Sequence, residues 1–244
     1  MIKIVLEDFK NFKSILNTAC MFLEELKFMA DNDGLRFSML DKAHISFFSA
    51  NFKKDYFDIY ELEEIDNFTI DTAELEKVLK RGKNGEKLQI IVNDSYMVLT
   101  FIREDGNERI FKLNLIDPDY DSPVPPNILY AVNPEISFKE FKEALKDVQV
   151  NSEQVEIKVG GTNLVLSSAE EEEKSKTNIP IIDEIENTYK SRYSIPKIQE
   201  IFNLDFDNVI VKIGNDKPLV LAFTDVFEEV NVEYLLAPRI GEDG

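Results

Sequence analysis

The chain has 244 residues and a formal net charge of −19, because 47 acidic residues outnumber 28 basic ones. Hydrophobic residues, including 18 phenylalanines, make up 43% of the sequence, which excludes general disorder and is enough for one large domain or two of ordinary size. The negative charge argues against a simple nucleic-acid or membrane binder, and no apolar run approaches the roughly 18 residues that a membrane-spanning helix needs.

The first half of the chain predicts strands around two helices. Its opening segment, MIKIVLEDFK, alternates apolar and polar residues and contains early acids, which favours a strand over a signal peptide. Asp71 or Thr72 is expected to cap the second helix, and Gly82 to end it. In chain order, the predicted elements are a strand (2–6), a helix (FKNFKSIL, 9–16), strands at LRFSMLD (35–41) and HISFFSANF (44–52), a helix (DTAELEKVLKRG, 71–82) and a strand within NDSYMVLTF (93–101).

A proline-rich stretch follows the first half. The segment DPDYDSPVPPN (117–127) contains four prolines in eleven residues. Proline lacks an amide donor and fixes φ, which excludes a central strand or a helix here. We expect an extended connector that runs over the surface between two halves, and an ordinary surface loop is the alternative.

The second half repeats the order of the first. FKEFKEAL (138–145) shares five of eight residues with FKNFKSIL, and NDKPLVLAF (215–223) shares five of nine with NDSYMVLTF. Two repeated segments in the same order favour a duplicated, strand-rich α+β domain. The alternative is that amphipathic segments became similar independently. The other predicted elements are strands at 130–132, QVEIKVGG (154–161) and NLVLSSA (163–169), and a helix at IPKIQEIF (195–202). The predicted units are an N-terminal domain (1–116), a connector (117–130) and a C-terminal domain (131–244).

The helix around FKEFKEAL sorts its side chains into three faces. At about 100° per residue, its apolar side chains fall within one arc of roughly 80°. These apolar residues are Phe138, Phe141, Leu145 and Val148, beside a lysine face (Lys139, Lys142, Lys146) and an acidic face (Glu140, Glu143, Asp147). The first-half copy has a matching apolar arc (Phe9, Phe12, Leu16, Ala19) and carries Lys10 and Lys13 on another face.

A row of lysines is often only a solvated helix face. Here the lysines recur on corresponding helices of both halves of an acidic chain, and the helix at 71–82 adds Lys77, Lys80 and Arg81 next to Lys83. This recurrence favours basic helices gathered on one surface, which suits contact with backbone phosphate without reading of base sequence. No recognition helix, zinc module or stacking aromatic accompanies the lysines, so binding is expected to be weak and strongly salt-dependent.

Four short motifs, in their order and spacing, resemble one family along nearly the whole chain. They are LD-x-x-HI (40–45), LKRGK (79–83), LID (115–117) and LLAPRI (235–240). Together they are similar to the PCNA (proliferating cell nuclear antigen) family of DNA sliding clamps, most closely its archaeal form. The resemblance implies the α+β clamp fold, with two similar β-rich domains of two helices each. It also implies a homotrimeric ring whose helices line a hole for duplex DNA.

The resemblance implies a non-catalytic processivity factor that retains DNA by enclosure, so that a mildly positive lining suffices and the acidic exterior repels DNA. The DNA-facing role falls on Lys13, Lys77, Lys80 and Lys146, with Lys10, Arg81, Lys139 and Lys142 as neighbours. The family has a basic residue near position 20, where this chain has Cys20, so that contact is not carried over. Expected partners are duplex DNA, further copies of the chain, DNA polymerase, clamp loader, flap endonuclease and DNA ligase, with no cofactor or metal.

A second surface implied by the resemblance is a pocket for partner peptides, which insert a short helix with apolar and aromatic anchors. It is expected beneath the connector and beside the C-terminal strand, where a small apolar cleft with backbone acceptors is needed. The matching positions are Leu40, His44, Ile45, Pro218, Leu235, Ala237 and Pro238, with Val124 and Pro125 from the connector. Prolines in this connector replace apolar side chains that the family places along the groove.

Ring closure requires edge strands that pair between subunits, which also removes exposed sheet edges. The candidates are ERIFKLNL (108–115) and KTNIPII (176–182). We hypothesise that Glu143 and Asp147 meet Arg81, Lys83 and Arg109 of the neighbouring subunit, and solvent-exposed charges of little energetic value are the alternative.

Two other functions stay open at this level. A metal-dependent enzyme could use the 47 acids, but no HExxH, Walker or nucleophile-elbow spacing occurs, and EEEE (170–173) is better interpreted as a solvated loop. The one histidine, His44, favours a pocket or packing role over that of a general base. The other alternative is a clamp-fold subunit of a hetero-oligomeric ring or an interaction protein. The lone Cys20 fits a reducing, intracellular compartment, which for an archaeal-type clamp is the cytoplasm.

Overall fold

The computed structural model describes residues 1–64, 66–117, 121–169 and 174–239. Four helices and fifteen strands are present in these ranges, with a 3-10 turn at Lys54–Tyr56. The helices are α1 (Lys10–Ala19), α2 (Thr72–Leu79), α3 (Phe138–Gln149) and α4 (Ile195–Gln199). The strands are β1 (Ile2–Leu6), β2 (Glu25–Asp31), β3 (Gly34–Leu40), β4 (Ser46–Lys53), β5 (Ile59–Leu62), β6 (Asp66–Asp71), β7 (Lys87–Val92), β8 (Tyr96–Ile102), β9 (Glu108–Ile116), β10 (Glu135–Ser137), β11 (Gln154–Ser168), β12 (Lys176–Ser194), β13 (Asn208–Lys212), β14 (Leu219–Thr224) and β15 (Val230–Leu236).

One antiparallel sheet runs through both halves of the chain. Its strand order is β10-β13-β14-β15-β4-β3-β2-β6-β9-β8-β7-β1-β5. The halves meet where β15 pairs with β4 over seven positions, from Val230 opposite Phe52 to Leu236 opposite Ser46. The C-terminal strand is therefore fixed beside the loop that precedes β4.

The second half contains two departures from the predicted elements. The strands expected at 154–161 and 163–169 form one long strand, β11, which pairs with β12 through register shifts around Gly161. Gly161 has φ +60, a left-handed conformation that glycine adopts at low cost, so the strand bends there without ending. The strand expected at 130–132 is also wrong, because only an isolated bridge joins Val132 to Ile213 and β10 begins at Glu135, after Pro134.

The apolar arcs predicted for α1 and α3 form the contact between helix and sheet. In α3, Phe138, Phe141, Leu145 and Val148 are fully buried, and Ala144 joins them. The corresponding residues of the first copy, Phe9, Phe12, Leu16 and Ala19, are at most 3% exposed. Burial of a phenylalanine or leucine side chain contributes about 1.5–3 kcal/mol, so these two arcs hold their helices on the sheet.

Helix α2 begins as predicted and ends differently. The Asp71 carboxylate accepts the Glu74 N–H at 2.8 Å, which is the expected cap. The helix ends at Leu79, and Gly82 lies beyond it without the positive φ of a left-handed helix end. A glycine is needed at position 82 because a Cβ would lie 2.6 Å from the ring of Phe101 and 2.8 Å from that of Phe9.

The helices lie side by side as one layer. Helix α1 packs beside α2 and bonds to the segment that follows α4, where Asn11 donates to the Asp205 carbonyl at 3.0 Å. Helix α3 reaches the same region from the other side, because its Gln149 side chain bonds to Gln199 of α4. The lysine-bearing helices of both halves are thus joined through α4 and the segment that follows it.

Candidate functional site

The predicted DNA-facing cations all lie on this helix layer or on the turn after α2. Six of them are exposed and two are half-buried. The exposed residues are Lys10, Lys77, Lys80, Arg81, Lys139 and Lys146, and the half-buried ones are Lys13 and Lys142. The structure therefore brings these residues onto one layer, while their contact with DNA stays a prediction.

Three exposed lysines form ion pairs within the chain. Lys80 pairs with Glu76 at 2.9 Å and Lys146 with Glu143 at 2.8 Å, each within its own helix or at its end. Lys10 of α1 pairs with Asp205 at 2.8 Å, and the hydrogen bond and charge of that carboxylate raise the pKa of Lys10. Exposed pairs of this kind are weak because water screens both charges, so a phosphate can exchange with the carboxylate.

Two exposed lysines are free to contact an anion. Lys77 on α2 and Lys139 on α3 have no ion-pair partner among the described residues. An unpaired, mobile ammonium group contacts phosphate without first breaking another bond. Lys77 and Lys139 are therefore the strongest candidates for direct phosphate contact.

The two half-buried lysines hold the layer together. The Lys13 ammonium donates to the Gly82 carbonyl at 2.7 Å, which joins α1 to the turn after α2. The Lys142 ammonium donates to the Phe202 carbonyl at 3.4 Å and lies 4.3 Å from the centre of the Phe138 ring. Burial, together with the nearby charge of Lys146, lowers the pKa of Lys142. Both groups are already engaged inside the chain.

Cys20 lies at the C-terminal end of α1, where the resemblance implies a basic residue. Its side chain packs against the core, and burial, followed by the charge of Glu76, raises the pKa of the thiol to about 12. A neutral, packed thiol provides no phosphate contact at this position.

The predicted peptide pocket divides into two neighbouring depressions. One, of about 500 Å³, has Ile45, Ala237 and Pro238 in its wall, and the other, of about 300 Å³, has Pro125 and Leu235. A backbone hydrogen bond from Ala237 to the Ile45 carbonyl, 2.8 Å long, fixes the C-terminal segment beside the loop before β4. Residues from both halves of the chain thus line these depressions, and their role in binding partner peptides stays a prediction.

The loop before β4 is shaped by a buried carboxylate. Asp41 accepts the N–H groups of Ile45 at 2.8 Å and Ser46 at 3.0 Å, and its other oxygen accepts the ammonium of Lys197 at 2.9 Å. Burial opposes ionisation, but these donors outweigh it and lower the pKa of Asp41. His44 is exposed at the tip with φ +57, so its side chain faces solvent and not the core.

The remaining predicted pocket residues have different environments. Leu40 packs on a small cluster of Phe47, Val220 and Leu235, apart from the main core. The Pro218 carbonyl accepts the Tyr130 hydroxyl at 2.8 Å, which anchors the end of the connector. Val124 is 86% exposed, so it presents an apolar side chain to solvent.

Sequence reasoning missed several residues of this surface. They are Phe47, Tyr130, Lys197 and Val220. Outward-facing Phe47 next to inward-facing Phe48 was a usable signal, because alternation places adjacent strand residues on opposite faces. The Lys197 contact had no signal, since 156 residues separate it from Asp41.

The predicted subunit edges retain unpaired strand backbone within the described chain. Strand β9 pairs with β8 from Glu108 to Asn114, but with β6 only at Leu115 and Ile116. Strand β12 pairs with β11 alone among the described strands. Backbone donors and acceptors on such edges are available to another strand.

Some of the charged residues predicted at the subunit interface have partners within the same chain. Arg109 pairs with the buried carboxylate of Glu86, and Glu143 with Lys146. Asp147 accepts the Thr177 hydroxyl of β12 at 3.4 Å, while Arg81 and Lys83 are exposed and have no ion-pair partner in the part of the chain that the structure describes. Contacts of these residues with a neighbouring subunit stay a prediction.

Some predictions fall on residues outside the described ranges. They include the acidic run at 170–173, the last residue of LLAPRI and residues 118–120 of the connector. Within the described ranges, no group of three or more His, Cys, Asp or Glu side chains is arranged to hold a metal ion. None of the described helices is long and apolar enough to span a membrane.

Comparison with known proteins identifies the family. Residues 1–123 match the family described as "Proliferating cell nuclear antigen, N-terminal domain", which is half of the chain. The chain belongs to the proliferating cell nuclear antigen (PCNA) family. The chain is also 29% identical over 242 residues to the DNA polymerase sliding clamp of Methanothermobacter thermautotrophicus, covering 98% of both. It is 28% identical over 254 residues to that of Methanobrevibacter smithii, covering all of both.

Solved PCNA structures have the same fold. The PCNA of Thermococcus kodakaraensis superposes with a TM-score of 0.88 at 21% identity, covering 98% of this chain and 100% of that one. The PCNA of A. fulgidus, solved with the C-terminal region of FEN-1 bound, gives 0.90 at 20% identity with full coverage of both. The predicted family and α+β clamp fold are confirmed, and the relatives' names agree with the predicted sliding-clamp function.

Proposed function

We propose that this PCNA-family chain is a homotrimeric sliding clamp that encircles duplex DNA and acts as a non-catalytic processivity factor for DNA polymerase. The observation that supports this most is the helix layer, which carries lysines from both halves in a chain of net charge −19. Its units are the N-terminal domain (1–116), the connector (117–130) and the C-terminal domain (131–244).

The lysine layer suits retention by enclosure. A binder that relies on affinity needs many unpaired cations, and most of the basic groups here are paired or engaged with carbonyls. A ring needs only weak, sequence-blind contacts, because its closed shape keeps the DNA inside. Weak contacts also let the ring slide. The observed mixture of exposed lysines with and without ion-pair partners among the described residues therefore fits retention by enclosure.

Ring closure uses the edges of β9 and β12 as the complementary strands. The free side of β9 and the unpaired side of β12 each provide backbone hydrogen-bonding groups for a neighbouring copy. A contact between two different edges is heterologous. Repeating it forms a closed ring when the rotation from one subunit to the next is a whole-number fraction of a full turn. Three copies give the proposed ring.

The two depressions around Ala237 and Leu235 are the docking surface for partners. Their linings combine apolar and charged side chains, and the loop held by Asp41 contributes Ile45 to the larger depression. The apolar part suits a short helix with apolar anchors. The A. fulgidus relative carries a FEN-1 segment. The partners proposed for this chain are DNA polymerase, clamp loader, flap endonuclease and DNA ligase, each through a short peptide motif.

The native mass of the purified chain tests the ring. Light scattering over a range of concentrations is expected to give three times 28.1 kDa. A monomer at all concentrations, or a ring that forms only with a second, different clamp subunit, would instead favour the hetero-oligomeric alternative.

A further inference from the structure

Glu86 is a buried carboxylate beside the free edge of β9. It is 4% exposed and lies at the end of the loop between α2 and β7. One of its oxygens accepts the Arg103 Nε–H at 3.3 Å, and the other accepts a terminal N–H of Arg109 and the backbone N–H of Lys83 at 2.9 Å. A single carboxylate thus holds two arginine side chains and one turn.

The charges around Glu86 do not balance. Burial opposes ionisation, but the Lys83 N–H, the Arg103 side chain and Arg109 together lower the pKa of Glu86, so it is ionised at neutral pH. One negative charge faces two guanidinium groups, and the side chains of Arg81 and Lys83 add two exposed cations nearby. Four cationic side chains thus lie around one buried carboxylate beside the edge of β9, while the acids Glu104, Asp105 and Glu108 lie on the adjoining turn and strand end.

The Arg81–Lys83 turn is fixed by contacts that converge on this carboxylate. Arg109 donates one terminal N–H to Glu86 and the other to the Arg81 carbonyl at 2.8 Å. Lys83 is held through its backbone, and Lys13 binds the Gly82 carbonyl between them. All three residues of the turn are held by their main chain, which leaves the side chains of Arg81 and Lys83 pointing to solvent.

We propose that Glu86 is a positioning residue for the contact between copies of this chain. It does not touch the neighbour. It fixes Arg109, and through Arg109 it fixes the turn, so that Arg81 and Lys83 are presented along the free edge of β9 to an acidic surface of the next copy. The proposal depends on the proposed ring, because without a neighbouring copy the presented cations have nothing to meet.

The net charge of the chain indicates which surface Arg81 and Lys83 contact, namely an acidic surface of a second copy. A net charge of −19 makes copies of the chain repel each other, so a contact between them needs a local region of opposite sign. Ordering long cationic side chains before contact also reduces the entropy lost on association. Glu86 provides that order without neutralising Arg81 or Lys83.

The test uses the full chain and the dissociation constant of the trimer, measured by sedimentation or mass photometry over a dilution series. Glu86→Gln keeps the size of the side chain and removes its charge. The expected result is a dissociation constant at least tenfold higher. The matched control is Glu104→Gln, which removes the same charge from an exposed residue of the β8–β9 turn and is expected to change the constant less than twofold.

A second measurement separates positioning from general loss of stability. In a chain that carries Arg81→Gln and Lys83→Gln, the side chains that Glu86 presents are absent, so Glu86→Gln is expected to have little further effect on the constant. The proposal would be overturned if Glu86→Gln left the dissociation constant of the trimer unchanged. It would also be overturned if Glu86→Gln raised that constant equally in the wild-type chain and in the Arg81→Gln, Lys83→Gln chain. A wild-type chain that never trimerises would overturn the proposed function itself.

Arg109→Lys covers the case in which Glu86→Gln does not fold. Lysine keeps the positive charge but cannot hold Glu86 and the Arg81 carbonyl at the same time in a planar fork. The same tenfold or greater weakening is expected, and a wild-type constant in this folded variant would contradict the proposal.

Discussion

The ammonium group of Lys13 and the carbonyl oxygen of Gly82 are 2.7 Å apart. This contact joins α1 to the turn after α2, whose Arg81 carbonyl accepts a hydrogen bond from Arg109 of β9. Lys13 matched the DNA-facing pattern in the sequence, but its charged group is already bonded to the backbone. Its contribution is to hold the helix layer together, and contact with DNA is proposed for the exposed lysines on the same layer.

Replacement of Lys13 by methionine tests this structural role. The side chain keeps its length, and the Gly82 carbonyl loses a charged donor. Because a hydrogen bond to a charged group contributes about 1.5–3 kcal/mol, we expect the free energy of unfolding to fall by about 1–2 kcal/mol. Urea unfolding measures it. Lys77→Met, at an exposed site on the same layer, should stay within about 0.5 kcal/mol of wild type, and equal losses in both would contradict the assignment.

Lys139→Gln tests contact with phosphate. Lys139 is exposed and unpaired among the described residues, so its loss should weaken binding to a short duplex for every base sequence alike. The slope of log affinity against log salt should shrink by about 0.9 for each lost phosphate contact, and the trimer loses three Lys139 side chains. Fluorescence anisotropy of the trimer gives this slope.

Lys158→Gln is the control for that experiment. Lys158 is exposed on β11 between Ile157 and Val159, which are buried beneath α3, so alternation places it on the face away from the helices. Its removal should leave the salt slope unchanged. If both variants lose the same slope, the helix layer is not the DNA-facing surface.

Ile45→Glu tests the docking surface. Ile45 is 40% exposed and lines the larger depression, so a carboxylate there should block an apolar anchor and weaken a flap-endonuclease C-terminal peptide at least tenfold. Calorimetry with that peptide measures the affinity. Val226→Glu adds the same charge to a 90% exposed valine on the β14–β15 turn and should bind as wild type does. Retained binding by Ile45→Glu would exclude this depression as the site.

The pKa of Asp41 predicts how the stability of this region depends on pH. The pKa in the folded chain lies below its ordinary value of 3.8, so the unfolded state binds more protons in that range. The stabilisation is present above pH 3.8 and is lost as the pH falls through the lower, folded pKa. Unfolding experiments should show a shallower acid dependence for Asp41→Asn than for wild type. Parallel curves would contradict a stabilising role for the charge of Asp41.

The sequence predicted those elements that depend on interactions between residues close together in the chain. The arc of Phe138, Phe141 and Leu145 follows from helical spacing alone, and the structure buries all three completely. The Asp71 cap is local too. By contrast, the continuity of β11 depends on pairing with β12, and Gly161 marks a bend in the strand that looks like an end when the sequence is considered alone.

The parts of the site that sequence could not predict depend on distant partners. Glu86 was one acid among 47, and its importance arises from Arg103 in the β8–β9 connection and Arg109 on β9. Lys197 likewise acquires its role by reaching Asp41 across the fold. Helical periodicity identified a lysine face, but only the packing of the layer separates an engaged lysine such as Lys13 from one such as Lys77, which has no ion-pair partner among the described residues.

The most direct test of enclosure compares the same DNA before and after it is cut. A clamp loader places the chain on closed circular plasmid, gel filtration at high salt isolates the complex, and a restriction enzyme then linearises the plasmid. Enclosure predicts that the chain stays on the circle and dissociates from the linear form. Equal retention on the circular and linear DNA would contradict it.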